Sequence, residues 1–144
     1  MSNSRRSNED GFTLVELMVV IVILGLLATI VAINVLPATG RANTEKAKTD
    51  IATIEQALEM YRLDNLNYPS TTEGLQALVT APPGGAQAQR YRQGGYIKRL
   101  PDDPWGNPYR YTFPGARGAF DIFSLGADNA EGGEGENADL GNWQ

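Results

Sequence analysis

Two groups of residues in this 144-residue chain have types and spacings that could do chemistry. The first is a set of carboxylates near the C-terminus: Asp121, Asp128, Glu131, Glu134, Glu136 and Asp139, with no lysine or arginine between positions 120 and 144. Glycines at 126, 132, 133, 135 and 141 let the intervening backbone turn sharply. Clustered carboxylates repel one another unless a cation or solvent separates them. Hard oxygen donors on a flexible loop suit Ca²⁺, which takes roughly six to eight oxygens at about 2.3–2.6 Å. The spacing does not match an EF-hand, so the residues alone leave two readings open, a Ca²⁺ site and a solvated acidic tail. The second group is Glu16 with its surroundings. It is the only formal charge between Phe12 and Leu36, just inside an apolar run, where a carboxylate is costly unless it has a partner.

The elements that would position these groups follow from patterning. From Leu17 to Leu36 the run is apolar except for Thr29 and Asn34. About 20 residues at ~1.5 Å rise span roughly 30 Å, the thickness of a bilayer's hydrocarbon core. Pro37 and Gly40 follow. An interior proline costs a helix ~3 kcal/mol, so a kink or a melted turn is expected near residues 33–40. Ala47, Ile51, Ile54, Leu58 and Tyr61 then recur on one helical face, which carries the helix to about Leu63, before the stop at 64–69. Ser70, Thr71, Thr72 and Glu73 precede Leu75, Ala77, Leu78 and Val79 and predict a short capped second helix, ended by Pro82 and Pro83. Arg90, Arg92, Lys98 and Arg99, interleaved with Tyr91 and Tyr96, read as a solvated loop or a salt-bridging surface. Residues 96–109 read as a loop dense in turn formers, pinned by Trp105 and the flanking tyrosines. Residues 109–113 and 119–124 alternate polar and apolar and predict an antiparallel hairpin packed on the 47–61 face.

Composition narrows the function. With no cysteine there is no disulfide and no thiol chemistry, and with no histidine the commonest general base and metal ligand are missing. A net charge of −5 argues against nucleic acid as a partner. Neither a phosphate-binding loop motif nor a dinucleotide glycine fingerprint is present. A membrane-anchored enzyme using the acidic loop as a metal site would still need a nucleophile or base beside it. These features argue for a structural protein rather than an enzyme.

The segment Gly11-Phe12-Thr13-Leu14-Val15-Glu16, behind a polar leader holding Arg5, Arg6, Glu9 and Asp10, resembles the class III signal of type IV pilins and type II secretion pseudopilins. An ordinary secretory signal is instead cut after its apolar region. The resemblance implies cleavage by a prepilin peptidase between Gly11 and Phe12, N-methylation of Phe12, and use of Glu16 to neutralise the terminal amine of a neighbouring subunit. The stretch from Tyr68 to Leu75 and the Trp105 loop from Tyr96 to Tyr109 resemble the major pseudopilins of type II secretion. The likeness then covers nearly the whole chain from Gly11 to Trp143. It implies an α+β, type IV pilin-like fold: a long N-terminal helix on a small antiparallel sheet, with a Ca²⁺-stabilised C-terminal loop. The implied divisions are a leader at 1–11, a transmembrane or filament-core helix at 12–36 and a periplasmic domain at 37–144. Such pseudopilins bind one Ca²⁺. By that resemblance the ligands here are the Leu125 carbonyl, Asp128 and Asp139, with Glu136 contributing a carbonyl or carboxylate. In that family the proline often comes earlier, at the position of Ile33.

The function so implied is that of the major subunit of a periplasmic filament that drives export of folded proteins across the outer membrane. Implied partners are further copies of the chain, a prepilin peptidase, minor pseudopilins, an inner-membrane secretion platform, and lipid before assembly. The implied location is the inner membrane of a Gram-negative bacterium. The alternative is a type IV pilin for adhesion or motility. Such pilins commonly close their C-terminus with a disulfide, which this chain cannot form.

Overall fold

The computed structural model describes residues 11–84 and 89–144. The expected leader therefore lies, apart from Gly11, outside the described residues. Two compact units are resolved, Met1–Ala38 and Thr39–Gln144. Helix α1, Leu14–Asn65, supplies residues to both.

In the first unit α1 is apolar on every side. Its most apolar 18-residue window has a mean hydropathy of 3.0, and none of it is buried. Phe12 is 85% exposed and Ile33 65%. A helix that is hydrophobic all round needs lipid or other helices around it.

Helical backbone is unbroken through residues 33–40, so the expected melted turn is absent. Long helix already exists on both sides of Pro37, so no new nucleus has to form after the break. Side chains also serve carbonyls nearby: the Asn34 amide donates to the Ile30 carbonyl at 3.0 Å, and the Thr44 hydroxyl to that of Gly40 at 3.1 Å. Gly40 is buried, not a loosened turn. A Cβ there would lie 3.1 Å from the Glu136 side chain.

In the second unit the stripe read from the sequence is the core. Ala47, Ile51, Ile54, Leu58 and Tyr61 are all buried, joined by Ala57 between them. Burying a Leu or Ile side chain contributes about 1.5–3 kcal/mol each. The helix stops at Asn65, two residues beyond expectation. The Asn65 amide donates to the Tyr61 carbonyl at 2.9 Å and to the Tyr96 hydroxyl at 2.8 Å, and Leu66 then turns left-handed at φ 68°.

The predicted second helix is only a 3-10 turn, Leu75–Leu78. The cap forms as expected: Ser70 N–H donates to the Glu73 carboxylate at 3.0 Å and Glu73 N–H to the Ser70 hydroxyl at 3.1 Å. Gly74, at φ 64° and ψ −170°, then breaks the helical path. The Leu78 carbonyl accepts the N–H groups of Tyr96 and Ile97 at 2.8 and 3.3 Å, so the turn docks on that segment instead of propagating.

The expected hairpin is present. Strand β1, Arg110–Thr112, pairs antiparallel with β2, Asp121–Ser124, placing Tyr111 opposite Ile122. A third strand, β3, Leu140–Gly141, pairs with the other edge of β2, giving the order β1-β2-β3. Phe113 N–H donates to the Thr71 hydroxyl at 2.9 Å, and that hydroxyl donates to the Phe113 carbonyl at 3.0 Å, tying β1 to the capped turn.

Tyr61, Tyr91 and Tyr96 pack edge to face, with ring centroids 5.1–6.3 Å apart. Burial first, then the charge of Glu73, pushes the Tyr61 phenol up to about 12. Burial likewise raises Tyr109, whose hydroxyl donates to Asp50 at 2.9 Å, and Tyr111. An unfolded tyrosine ionises near ~10. These phenols therefore contribute stability that is complete below pH ~10 and lost as pH climbs toward the folded values. Melting followed by circular dichroism should give a clearly lower transition at pH 11 than at pH 8. Equal transitions would refute this.

Candidate functional site

The junction at the start of α1 is built by two side chains. Gly11, Phe12 and Thr13 precede the helix as irregular, exposed chain. Thr13 N–H donates to the Glu16 carboxylate at 3.1 Å, and Glu16 N–H donates to the Thr13 hydroxyl at 3.2 Å. This reciprocal box satisfies two of the backbone donors that a helix leaves unpaired at its start. It also fixes the Glu16 carboxylate at the mouth of the apolar helix. Among the described residues Glu16 has no ion-pair partner. Gly11 and Phe12 are exposed, and nothing lies within 4 Å of a Cβ placed on Gly11.

At the C-terminus the two segments singled out from the sequence lie side by side. After β2 the chain turns at Gly126, at φ +80°. A Cβ at that position would sit 2.7 Å from the Glu136 carbonyl oxygen and 2.8 Å from that of Ala138. Ala127 N–H donates to the Glu136 carbonyl at 2.8 Å. Leu125 is buried, and with Asp139, Glu131, Asp121 and Trp143 it lines an open cavity of about 490 Å³.

The four proposed ligands behave differently. Asp139 accepts Gly132 N–H on Oδ2 at 3.2 Å, while its Oδ1 is buried with no hydrogen-bond partner. Such an orphaned carboxylate oxygen is what a hard cation would satisfy. Asp128 is exposed and accepts Ala130 N–H at 3.2 Å. Glu136 sends its carboxylate against Gly40 and its carbonyl toward Gly126. Among the described residues no three acidic side chains converge tightly enough to chelate an ion. A cation here would draw on main-chain carbonyls as much as on carboxylates. Asp121 is committed elsewhere, since Ala116 and Arg117 N–H groups donate to it at 2.8 and 3.3 Å within the hairpin turn.

The loop end is latched by rings. The Arg117 guanidinium lies 4.0 Å over the Trp143 ring, which also packs on Phe123 at 5.9 Å. Gly141 leaves the space that the Trp143 ring fills. The basic cluster is partly internal. Arg92 donates to Asp64 at 3.1 Å and lies over the Tyr96 ring.

The Trp105 loop holds a residue whose role the sequence did not disclose. Asp103 is buried and accepts the N–H groups of Trp105 and Asn107 at 3.1 and 2.8 Å. Its other oxygen accepts the Ser124 hydroxyl at 2.7 Å. Spacing could suggest the local turn, but not the contact 21 residues away.

Comparison with known proteins agrees with this architecture. Residues 34–143 match the family described as type II secretion system (T2SS), protein G, and residues 6–32 match the prokaryotic N-terminal methylation motif. The type II secretion system core protein G of Vibrio cholerae serotype O1 is 57% identical over 135 residues, 94% of this chain and 92% of that protein. Its counterpart from Pseudomonas aeruginosa is 52% identical over 139 residues, 96% of this chain and 98% of that protein. The crystal structure of the major pseudopilin from the type 2 secretion system of enterohaemorrhagic Escherichia coli is similar at a TM-score of 0.65 and 44% identity, covering 74% of this chain and 87% of that one. These matches favour the secretion pseudopilins over the surface pilins. With its capped apolar helix, its three-stranded sheet and its two matched segments, the chain belongs to the type II secretion system protein G family.

Proposed function

We infer that this protein is the major structural subunit of a type II secretion pseudopilus. The carrying observation is the start of α1 at residues 11–16: exposed residues Gly11 and Phe12, then a capped helix end whose apolar side chains from Leu14 to Ile33 are exposed and whose first carboxylate, Glu16, lacks an ion-pair partner among the described residues. A prepilin peptidase removes residues 1–11 and methylates Phe12. Residues 12–36 lie first in the inner membrane and then in the filament core, where Glu16 meets the terminal amine of a neighbour. Residues 37–144 form the periplasmic surface of the filament, which works with minor pseudopilins and an inner-membrane platform to export folded proteins. The chain acts as a building block and as a substrate of the peptidase, not as a catalyst. Intact-mass measurement after coexpression with a prepilin peptidase tests this reading. A loss of residues 1–11 with one methyl gained is expected, and an uncut chain, or one cut after the apolar run, overturns it.

The C-terminal loop takes one Ca²⁺. The buried, unpartnered Asp139 oxygen and the carbonyls gathered at Gly126 support this, with Leu125 and Asp128 completing the set. When bound, the ion supplies charge neutralisation and cross-links the two segments. With Ca²⁺ about a hundredfold above its dissociation constant, linkage raises the melting temperature by roughly 10 °C. Asp139→Asn should abolish that rise. A wild-type melting temperature indifferent to Ca²⁺ and to chelator would remove the ion from this reading and leave the subunit assignment standing.

A further inference from the structure

Asp103 stands 21 residues before Ser124, yet a short hydrogen-bond chain leads from it into the acidic segment. Its carboxylate is 5% exposed, and Ser124 is 1% exposed. The Ser124 O–H donates to Asp103 Oδ2 at 2.7 Å, and Ser124 Oγ accepts Gly126 N–H at 3.2 Å. A serine hydroxyl has one proton, so committing it to Asp103 leaves only lone pairs facing Gly126. The charge on Asp103 strengthens the first bond and holds the serine in that rotamer.

The consequence lies in the peptide between Leu125 and Gly126. A trans peptide is planar, with its N–H and C=O pointing in opposite directions. Fixing the Gly126 N–H on Ser124 therefore fixes the direction of the Leu125 carbonyl. We propose that Asp103, acting through Ser124, is the positioning residue that aims the Leu125 carbonyl at the cation of the C-terminal loop. This rests on the Ca²⁺ reading above. It makes the Trp105 loop and the C-terminal loop one hydrogen-bonded unit through Asp103, Ser124 and Gly126. Groups that orient metal ligands typically change affinity by about 10–100-fold when removed.

The test uses the full chain in detergent micelles, stripped with chelator and titrated with CaCl₂ by calorimetry. Ser124→Ala, Asp103→Asn and the double variant are compared with wild type. Each single change should weaken Ca²⁺ binding about tenfold or more, and the double variant should be no weaker than the worse single, because the two residues act in series. Amide exchange at Gly126 in the Ca²⁺-free protein should quicken in all three. Wild-type affinity in both singles, or losses that simply add, would overturn the relay. Should Asp103→Asn fail to fold, Ser124→Ala carries the test, since it leaves both loop hydrogen bonds of Asp103 in place. A wild type that does not bind Ca²⁺ would sink the cation reading and the aiming role together. The exchange rate at Gly126 would then still decide whether Asp103 and Ser124 hold that peptide.

Discussion

Gly126→Ala is expected to detach the C-terminal loop and to lower the melting temperature by 10 °C or more. Two costs combine. At φ +80° an L-residue meets its own backbone, at about 1–2 kcal/mol. The new Cβ would also lie 2.7 and 2.8 Å from the carbonyl oxygens of Glu136 and Ala138, and these are main-chain atoms that no rotamer change can move. Relief requires the 136–138 segment to shift, which breaks the Ala127–Glu136 hydrogen bond and parts the two segments proposed to hold the cation. Gly132 is the control. It has the same φ of +80°, but nothing lies within 4 Å of its would-be Cβ. Gly132→Ala should therefore show the backbone cost alone, a shift of a few degrees, with Ca²⁺ binding retained. Limited proteolysis within residues 129–139 reads out the same contrast. Equal behaviour of the two variants would mean that the packing at Gly126 is unimportant.

The second large effect is expected at Glu16, where charge and helix capping can be separated. Glutamine at the third helical position still completes a capping box with Thr13. Glu16→Gln should therefore leave the helix start, the cleavage after Gly11 and the methylation intact. It removes only the negative charge. On the proposed pairing in an apolar filament core, this leaves the neighbour's amine buried and unpaired, at a cost of about 3–5 kcal/mol per contact. The association constant should fall by more than about a hundredfold, and assembled filaments should vanish from electron micrographs while processed monomer accumulates. Filaments at normal yield from the glutamine variant would show that Glu16 serves only as a cap.

What was legible in the sequence was what is local and periodic. The 47–61 stripe is buried as read, because apolar residues at helical spacing have one face to hide. The capping pairs Thr13/Glu16 and Ser70/Glu73 lie three residues apart, and the Ser70 cap was foreseen. Where a single strong local rule met a long-range context, the rule lost. Pro37 and Gly40 do not melt α1, and the Ser70–Glu73 box closes only a turn, because Gly74 breaks the helical path and the 3-10 helix at Leu75–Leu78 starts beyond it with no side-chain cap. Strand β3 has two residues, too few for alternation to register. In the acidic C-terminal loop, the segments around Leu125–Asp128 and Glu136–Asp139 lie side by side, linked by the Ala127–Glu136 hydrogen bond. The Glu136 carboxylate packed against Gly40 and the Ser124–Asp103 hydrogen bond join residues far apart in the chain.

The two-residue strand β3 has one more consequence. It occupies the edge of β2 that β1 leaves open, so the loop that carries it is also a lid on unpaired backbone. Exposed sheet edges invite pairing with other chains. In a protein of a filament-forming family, an opened loop would offer a second, disordered route to association. Closure of the C-terminus therefore guards against wrong partners as well as holding the domain together.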